Sequence, residues 1–500
     1  MADPSSLNRA RRAADLRALA DGEAVDLLVI GAGVSGAGVA VDAASRGLSV
    51  GLIDAQDLAF GTSRWSSKLV HGGLRYLAKG DVGIAHESAV ERDVLMQSTA
   101  PHLIRALPMV TPIGTSVPRH LTPLNVAALG AAEALRMAAG TPRARLPRPR
   151  LIGVDAARSY FPRMQTKGVR RAFLTFDGQV SDDARLVVAL ARTAAREGAK
   201  VLTYCRAEAV RPGAVTVADA IGGASFEIRA RHVINATGVW ADTIDPTVAL
   251  KPSKGVHLVF DGERLGSPTA ALMVAVPGTI SRYVFFLPQL DGRVILGLTD
   301  DLSDTIEDEA KAEPADVAFL LETANRALGE ALTPDDVVGT YAGYRPLLAG
   351  SSGTSADLSR RHAVHEGAHG MLSLVGGKLT TYRRMAEDAV DALVSRPGLS
   401  AGPCRTRTLP LVGATEPSSE WLGARYGSEA PRLRERMASE PALAERVVPG
   451  LPYTRAELVW AVEHEGALTA ADLLDRRTRI GFVPSDREAA RPIAEQLAGA

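Results

Sequence analysis

The stretch Ile30-Gly-Ala-Gly-Val-Ser-Gly-Ala-Gly-Val-Ala-Val-Asp42 decides the fold. It places Gly31-x-Gly33-x-x-Gly36 between an apolar run over 26–31 and a run of small residues over 34–47. The pattern predicts a strand, a tight turn and a helix, and residues 48–54 predict a second strand. This is a βαβ opening, and each glycine has its own task. Gly31 permits the tight turn, Gly33 lets the backbone approach a pyrophosphate, and Gly36 lets the helix close on the strand. The helix N-terminus then offers unpaired N–H groups to the anion. Asp54 ends the second strand 18 residues after Gly36, where a carboxylate can hold an adenosine ribose hydroxyl. The spacing predicts dinucleotide binding and does not separate FAD from NAD.

Three further motifs lie outward from this one. The run Gly61-Thr-Ser-Arg-Trp-Ser-Ser-Lys-Leu-Val-His-Gly-Gly-Leu-Arg-Tyr76 reads as a functional loop. Hydroxyls at Thr62, Ser63, Ser66 and Ser67 can bond phosphate and ribityl oxygens, and Gly72 and Gly73 permit close approach to a flat ring. Lys68 and His71 belong to the same expected cofactor contact. Arg75 supplies a planar cationic fork suited to phosphate or carboxylate. In Val233-Ile-Asn-Ala-Thr-Gly-Val-Trp240 a buried strand ends at Ala236, Thr237 and Gly238, small residues past which a cofactor can lie. In Gly376-Gly-Lys-Leu-Thr-Thr-Tyr-Arg383 a strand runs through a glycine pair into a helix. Gly377, Leu379 and Thr380 are expected at the cofactor, and Lys378 at a substrate anion, since a helix N-terminus is otherwise an unfavourable place for a cation.

The chain has 500 residues, enough for two to four domains and a large core without disulfides or structural metal. Its 57 basic and 57 acidic residues cancel, which argues against a nucleic-acid-binding surface. The cancellation hides two blocks. Residues 117–171 hold 11 bases against Glu133 and Asp155, and residues 300–336 hold 12 acids against Lys311 and Arg326. The basic block includes an apolar segment over 124–139 followed by Arg143, Arg145, Arg148 and Arg150 among prolines. Such a segment suits an anionic membrane interface. The acidic block reads as a solvated helix face. Cys205 and Cys404 are too few for a disulfide framework, no residue pattern suggests a metal, and a reducing cytosol fits. The start of the chain lacks signal-peptide order, and the apolar stretch over 27–41 is too short to span a bilayer.

The ordered motifs 30–42, Ser66-Ser-Lys-Leu-Val-His-Gly-Gly-Leu-Arg-Tyr-Leu77 and Gly-Gly-Lys-Leu-Thr-Thr-Tyr-Arg383 resemble the FAD-dependent glycerol-3-phosphate dehydrogenase family of the aerobic, respiratory type. The resemblance spans about residues 25–395 and resumes over 457–481, at Glu463-His-Glu465, Asp472 and Arg476-Arg-Thr478. It implies an α/β fold. A glutathione-reductase-like FAD (Rossmann) domain is expected from 25–80, 170–250 and 336–398, beside an antiparallel-sheet substrate domain from 81–169 and 251–335. A helical extension over 1–24 and a helical C-terminal domain over 399–500 complete the expectation. The family oxidises sn-glycerol 3-phosphate to dihydroxyacetone phosphate and passes the electrons to a membrane quinone. The implied location is peripheral, on the inner face of the cytoplasmic membrane, with segment 117–150 against the anionic surface and the homodimer left open. By motif, Arg75, Tyr76, His257, Arg345, Arg360 and Lys378 resemble substrate-pocket residues. His257 is the expected general base, Arg345 the group that stabilises the developing alkoxide, and Arg75, Arg360 and Lys378 the phosphate neutralisers. The sequence departs from the family at Ala32, at Tyr344 and at Arg361-His362, the last leaving two arginines to choose between. Competing readings are an amine or amino-acid oxidase of the same superfamily, a glycerol-3-phosphate oxidase using oxygen, and a non-catalytic flavin-holding subunit.

Overall fold

A computed structural model describes residues 3–73, 81–114, 122–279, 282–349 and 362–499, the side chains of 122–125 and 128 excepted. The first strand, Val25–Ile30, lies in the middle of an eight-stranded sheet and pairs in parallel with Val50–Ile53 and Ser225–Asn235. Lys200–Leu202 extends one side, and Leu372–Gly376 and His362–Glu366 extend the other. Leu27 and Val29 point into a core shared with helices Val34–Ser45, Asp183–Arg196 and Tyr382–Val394. Val25, Leu28 and Ile30 point the opposite way, into a core that includes Leu19 of the N-terminal helix Arg9–Ala20. A strand buried on both faces carries an unbroken apolar run, which is the pattern read at 26–31.

A second, ten-stranded sheet is antiparallel except where Ala271–Ala275 meets Ile104–Ile113. Ser253–Asp261 pairs with Arg293–Gly297 on one side and Gly339–Arg345 on the other. Phe260, Phe286 and Leu296 pack with Leu320 and Leu321 of helix Pro314–Asn325. Hydrogen bonding gives this sheet more of the chain than the sequence reading did. Leu69–Val70, Arg171–Val180 and Gly339–Arg345 fall within segments grouped with the nucleotide half, yet all three pair here. Pro108 and Pro112 lie inside the Ile104–Ile113 strand of this sheet.

The segment between the sheets matters most. It leaves the first sheet at Asp54 and enters the second at Leu69, opposite Gln179. Everything between, including the hydroxyl-rich run, lies along the seam.

The C-terminal helices, among them Trp421–Tyr426, Ala430–Ser439, Arg455–His464 and Pro484–Gly499, dock on that seam through buried ion pairs. Arg185 meets Glu465 at 2.9 and 3.0 Å, and Arg425 lies 3.3 Å from Asp182. Arg476 and Arg477 both hold Asp57, whereas Arg479 reaches across to Gln289 and Asp291 in the turn between strands Tyr283–Pro288 and Arg293–Gly297 of the second sheet. Among the described residues no helix is long and apolar enough to cross a membrane.

Candidate active site

The glycine turn is a close-approach site. Gly31 has φ +103°, and a Cβ there would lie 2.6 Å from the Ala236 carbonyl oxygen. A Cβ on Gly36 would lie 1.8 Å from the Gly31 carbonyl oxygen. The two strand ends and the helix start therefore meet with backbone alone between them. The Val34–Ser45 helix begins at Gly33, with Ser63 Oγ accepting the Val34 N–H at 2.9 Å. Asp54 accepts N–H bonds from Ala32 at 2.6 Å and Gln56 at 2.8 Å. Burial raises its pKa to about 6, against those two bonds and aided by Asp57. A helix start capped by a glycine, a side-chain-free cradle and a carboxylate at the second strand's end are the parts a dinucleotide needs, so the residues present fit FAD.

Several hydroxyls expected to face the cofactor are used by the protein. Thr62 donates to the Tyr344 carbonyl at 2.7 Å, tying the loop to the second sheet. Ser66 donates to Asp183 at 2.7 Å, and the fully buried Lys68 ammonium reaches the same carboxylate at 2.8 Å. The Lys68 side chain is thus spent on an internal ion pair, and only its backbone remains for a cofactor. Thr237 turns its hydroxyl to Asn235 at 2.7 Å, leaving the Ala236–Gly238 backbone toward the glycine turn. The His71 N–H meets Thr380 Oγ1 at 3.2 Å, and the Gly72 N–H meets Asp177 at 3.0 Å. The two glycine-rich runs, 71–73 and 376–380, are in this way brought together; Gly73, Gly376 and Gly377 all adopt φ near +77°. Lys378 caps the start of Leu379–Thr381 and donates to Ser88 Oγ.

The second sheet contributes its own face. Alternation puts Ser253, Gly255 and His257 on one side of their strand, and register sets them beside Arg345, Gly343 and Tyr341. The glycines keep this face low. A Cβ on Gly255 would lie 2.3 Å from Arg345 Nη2, and one on Gly343 would lie 2.4 Å from Trp65 Cβ. Arg345 lies flat over Gly255, bonded to Ser253 Oγ at 3.0 Å and Asp300 at 2.9 Å, and its side chain keeps 23% exposure.

His257 sits deeper than a base in contact with substrate requires. It is 2% exposed. Its ring stacks on Tyr341 with centroids 4.5 Å apart, and Gly297 flanks it so closely that a Cβ would lie 2.1 Å from Cδ2. Nδ1 is buried without a hydrogen-bond partner, and Nε2 is 2.8 Å from Ser67 Oγ. Burial, then Lys68 and Arg345, hold the imidazole well below its ordinary pKa, so it is neutral at pH 7. Nε2 faces the half-buried Ser67 hydroxyl rather than open space. Arg75, Tyr76 and Arg360 lie outside the described residues.

The sequence reading missed Ser253, Asp300, Asp183 and Tyr341. Ser253, Asp300 and Tyr341 reach the site only through cross-strand register, and no local pattern marks them. It also missed Phe482, which comes from the C-terminal domain and stacks on Tyr341 at 4.7 Å.

The sequence and the fold of this chain match those of known proteins. The profile of the FAD dependent oxidoreductase family matches residues 26–383, and that of the C-terminal domain of alpha-glycerophosphate oxidase matches residues 371–500. Glycerol-3-phosphate dehydrogenase 1 of Mycobacterium tuberculosis is 50% identical over 512 residues, covering 99% of each chain. The glycerol-3-phosphate dehydrogenase of Synechocystis is 33% identical over 93% of this chain and 90% of its own. The crystal structure of the glycerol-3-phosphate dehydrogenase from Bacillus halodurans complexed with FAD superposes with TM-score 0.75 at 26% identity, covering 99% of this chain and 94% of that one. This chain belongs to the FAD-dependent glycerol-3-phosphate dehydrogenase family.

Proposed function

We propose that this chain oxidises sn-glycerol 3-phosphate to dihydroxyacetone phosphate, with hydride passing from C2 to FAD and the electrons onward to a membrane quinone. The observation that carries the reading is Arg345, a partly exposed guanidinium held flat on a glycine-cleared sheet face beside the cofactor loop. Bound FAD supplies the two-electron acceptor for the C2 hydride. Arg345 faces the C2 oxygen and stabilises charge as it develops. Lys378, with Arg75 and Arg360 as the family resemblance assigns them, neutralises the phosphate, which carries a charge of about −1.5 to −2. The C2 hydroxyl proton passes to Ser67 Oγ, while the Ser67 proton passes to neutral His257 Nε2, 2.8 Å away.

The peripheral-membrane part of the reading is supported by helix Thr122–Ala138, which turns small and apolar residues to solvent and an ion pair inward. Glu133 and Arg136 pair inward, and Arg136 is 7% exposed. Val126, Ala127, Gly130, Ala131, Ala134 and Met137 point outward. Arg143 and Arg148 share that one Glu133, so this rim keeps a positive excess suited to anionic head groups.

The test is anaerobic titration of the purified holoenzyme. sn-Glycerol 3-phosphate should bleach the flavin, and glycine or sarcosine should not; bleaching by the amines alone selects the amine-oxidase reading, and none at all an inert subunit. A quinone analogue should reoxidise the flavin faster than oxygen; rapid peroxide release instead marks an oxidase. Vesicles with anionic lipid should float the protein, and Met137→Glu should weaken flotation; no binding by the parent chain rejects membrane docking.

A further inference from the structure

The acidic stretch that follows the Arg293–Gly297 strand does not lie wholly in solvent. Its first member, Asp300, has only 9% side-chain exposure and closes a triangle with two residues of the substrate face. Asp300 Oδ1 accepts from Ser253 Oγ at 2.6 Å and from Arg345 Nη1 at 2.9 Å, and Arg345 Nη1 lies 3.0 Å from Ser253 Oγ. Ser253 is fully buried. Thr299 locks the approach, its hydroxyl accepting the Val256 N–H at 3.0 Å. Gly255 leaves the guanidinium its seat, since a Cβ would lie 2.3 Å from Nη2. One edge of the Arg345 fork is thus held by Ser253 and Asp300 while its plane rests on Gly255.

We propose that Asp300 is the positioning residue of the reaction, acting through Arg345 in two opposed ways. The proposal rests on the placement of Arg345 at the substrate given above. First, the carboxylate and Ser253 hold the fork in one orientation, which favours the transition state because no reorganisation is needed as charge develops. Second, the carboxylate offsets part of the cationic charge facing a phosphate, so substrate and product are held less tightly than the cations alone would hold them. Orientation and charge then separate in kinetics. Loss of orientation lowers kcat, whereas loss of the negative charge lowers KM for an anionic substrate and strengthens product inhibition. A residue with only a structural role moves both constants in the unfavourable direction.

The experiment is steady-state kinetics on FAD-replete enzyme for Asp300→Asn, Ser253→Ala and Arg345→Lys, with flavin content and melting temperature measured for each. Asp300→Asn should lower kcat by about tenfold or more, given that a misplacement near 1 Å can cost about 10²-fold. The same variant should lower KM and the inhibition constant of dihydroxyacetone phosphate by about threefold, through removal of one charge at short range. Ser253→Ala keeps the carboxylate, so it should lower kcat without lowering KM, and it carries the test if Asp300→Asn does not fold. If Arg345→Lys loses turnover but Asp300→Asn leaves both constants unchanged or raises KM, the positioning role is wrong and the site reading stands. If Arg345→Lys leaves kcat and KM unchanged, the site reading falls and takes this proposal with it.

Discussion

The ion pair at Asp57 joins the cofactor segment to the C-terminal domain, and its removal has a calculable consequence. Asp57 is fully buried, three residues beyond the Asp54 strand end. It accepts from Arg476 Nε at 2.7 Å and from Arg477 Nη1 and Nη2 at 2.7 and 2.8 Å. Burial alone would raise the Asp57 carboxyl, but Arg477 and Arg476 hold it below its ordinary value. It therefore stabilises docking at neutral pH, and that contribution is lost as acid titrates the carboxylate below its unfolded value of about 3.9. In Asp57→Asn the two arginines fare differently. Arg476 keeps Asp472 at 2.6 Å, whereas Arg477 keeps only the Glu465 carbonyl at 3.0 Å. One buried guanidinium is left without a carboxylate, which costs about 3–5 kcal/mol, and the remaining Asn oxygen argues for the lower end, about 3. That raises the open population of the C-terminal domain by about 10²-fold. Amide hydrogen exchange over 470–482 reads it, with flavin retention as a second signal because Asp57 leads into the cofactor loop. Adding Arg477→Met should recover at least half the loss, since removing both partners spares the orphaned charge. Unchanged exchange over 470–482 together with full flavin retention in Asp57→Asn would refute the reasoning.

Two further outcomes follow from the cradle itself. Gly36→Ala brings a Cβ to 1.8 Å from the Gly31 carbonyl, so the helix must shift back by an overpacking strain of about 1–3 kcal/mol or more; the variant should purify with little flavin absorbance, and full occupancy would show that the cradle is not the cofactor seat. Asp54, raised by burial from 3.8 to about 6, takes up a proton in the folded apoprotein that the unfolded chain does not bind. Apoprotein stability should therefore fall as pH rises from about 4 to about 6 and level off above, and urea midpoints across that range should lose this slope in Asp54→Asn.

What was legible in the sequence was local. Gly31, Gly33 and Gly36 act within one turn, so their spacing states their purpose, and the run over 26–31 announces a strand buried on both faces. The substrate face was not legible because cross-strand register makes it. Ser253, Asp300 and Arg345 meet only after the strands at 253–261 and 339–345 align. Hydroxyls misled for a related reason. A Ser or Thr in a glycine-rich loop looks free to bind phosphate, but Thr62 and Ser66 hold the loop to Tyr344 and Asp183, and a sequence does not show which acceptors are already satisfied. His257 shows the same gap: the residue type suits a base, yet Tyr341 and Gly297 enclose it and its Nε2 meets Ser67. The C-terminal contribution of Phe482 depends on docking across more than a hundred residues of chain, which no local pattern encodes.

The two charge blocks that cancel in the total are physically unlike. The acidic stretch reads as a solvated face, yet Asp300 pairs with Arg345, Glu309 with Arg64, Asp316 with Lys254 and Asp336 with Arg264. Arg345 lies on the proposed substrate face, and Arg64 is buried against Phe60 and Trp65 of the cofactor loop. Acids from one neighbouring segment moderate both cations, and Asp300 does so while it holds the Arg345 fork in place. Arg64 measures how incomplete the neutralisation is: burial, then Arg476, lower its pKa to about 10, and its Nη1 stays buried without a partner. The basic block is balanced differently. Three of its arginines share Glu133, and Arg145 reaches only the exposed Glu416. Acids therefore compensate the interior cations of the site, while the outward rim beside the apolar helix keeps its excess, so a chain of zero net charge presents one positive face and one moderated anion pocket.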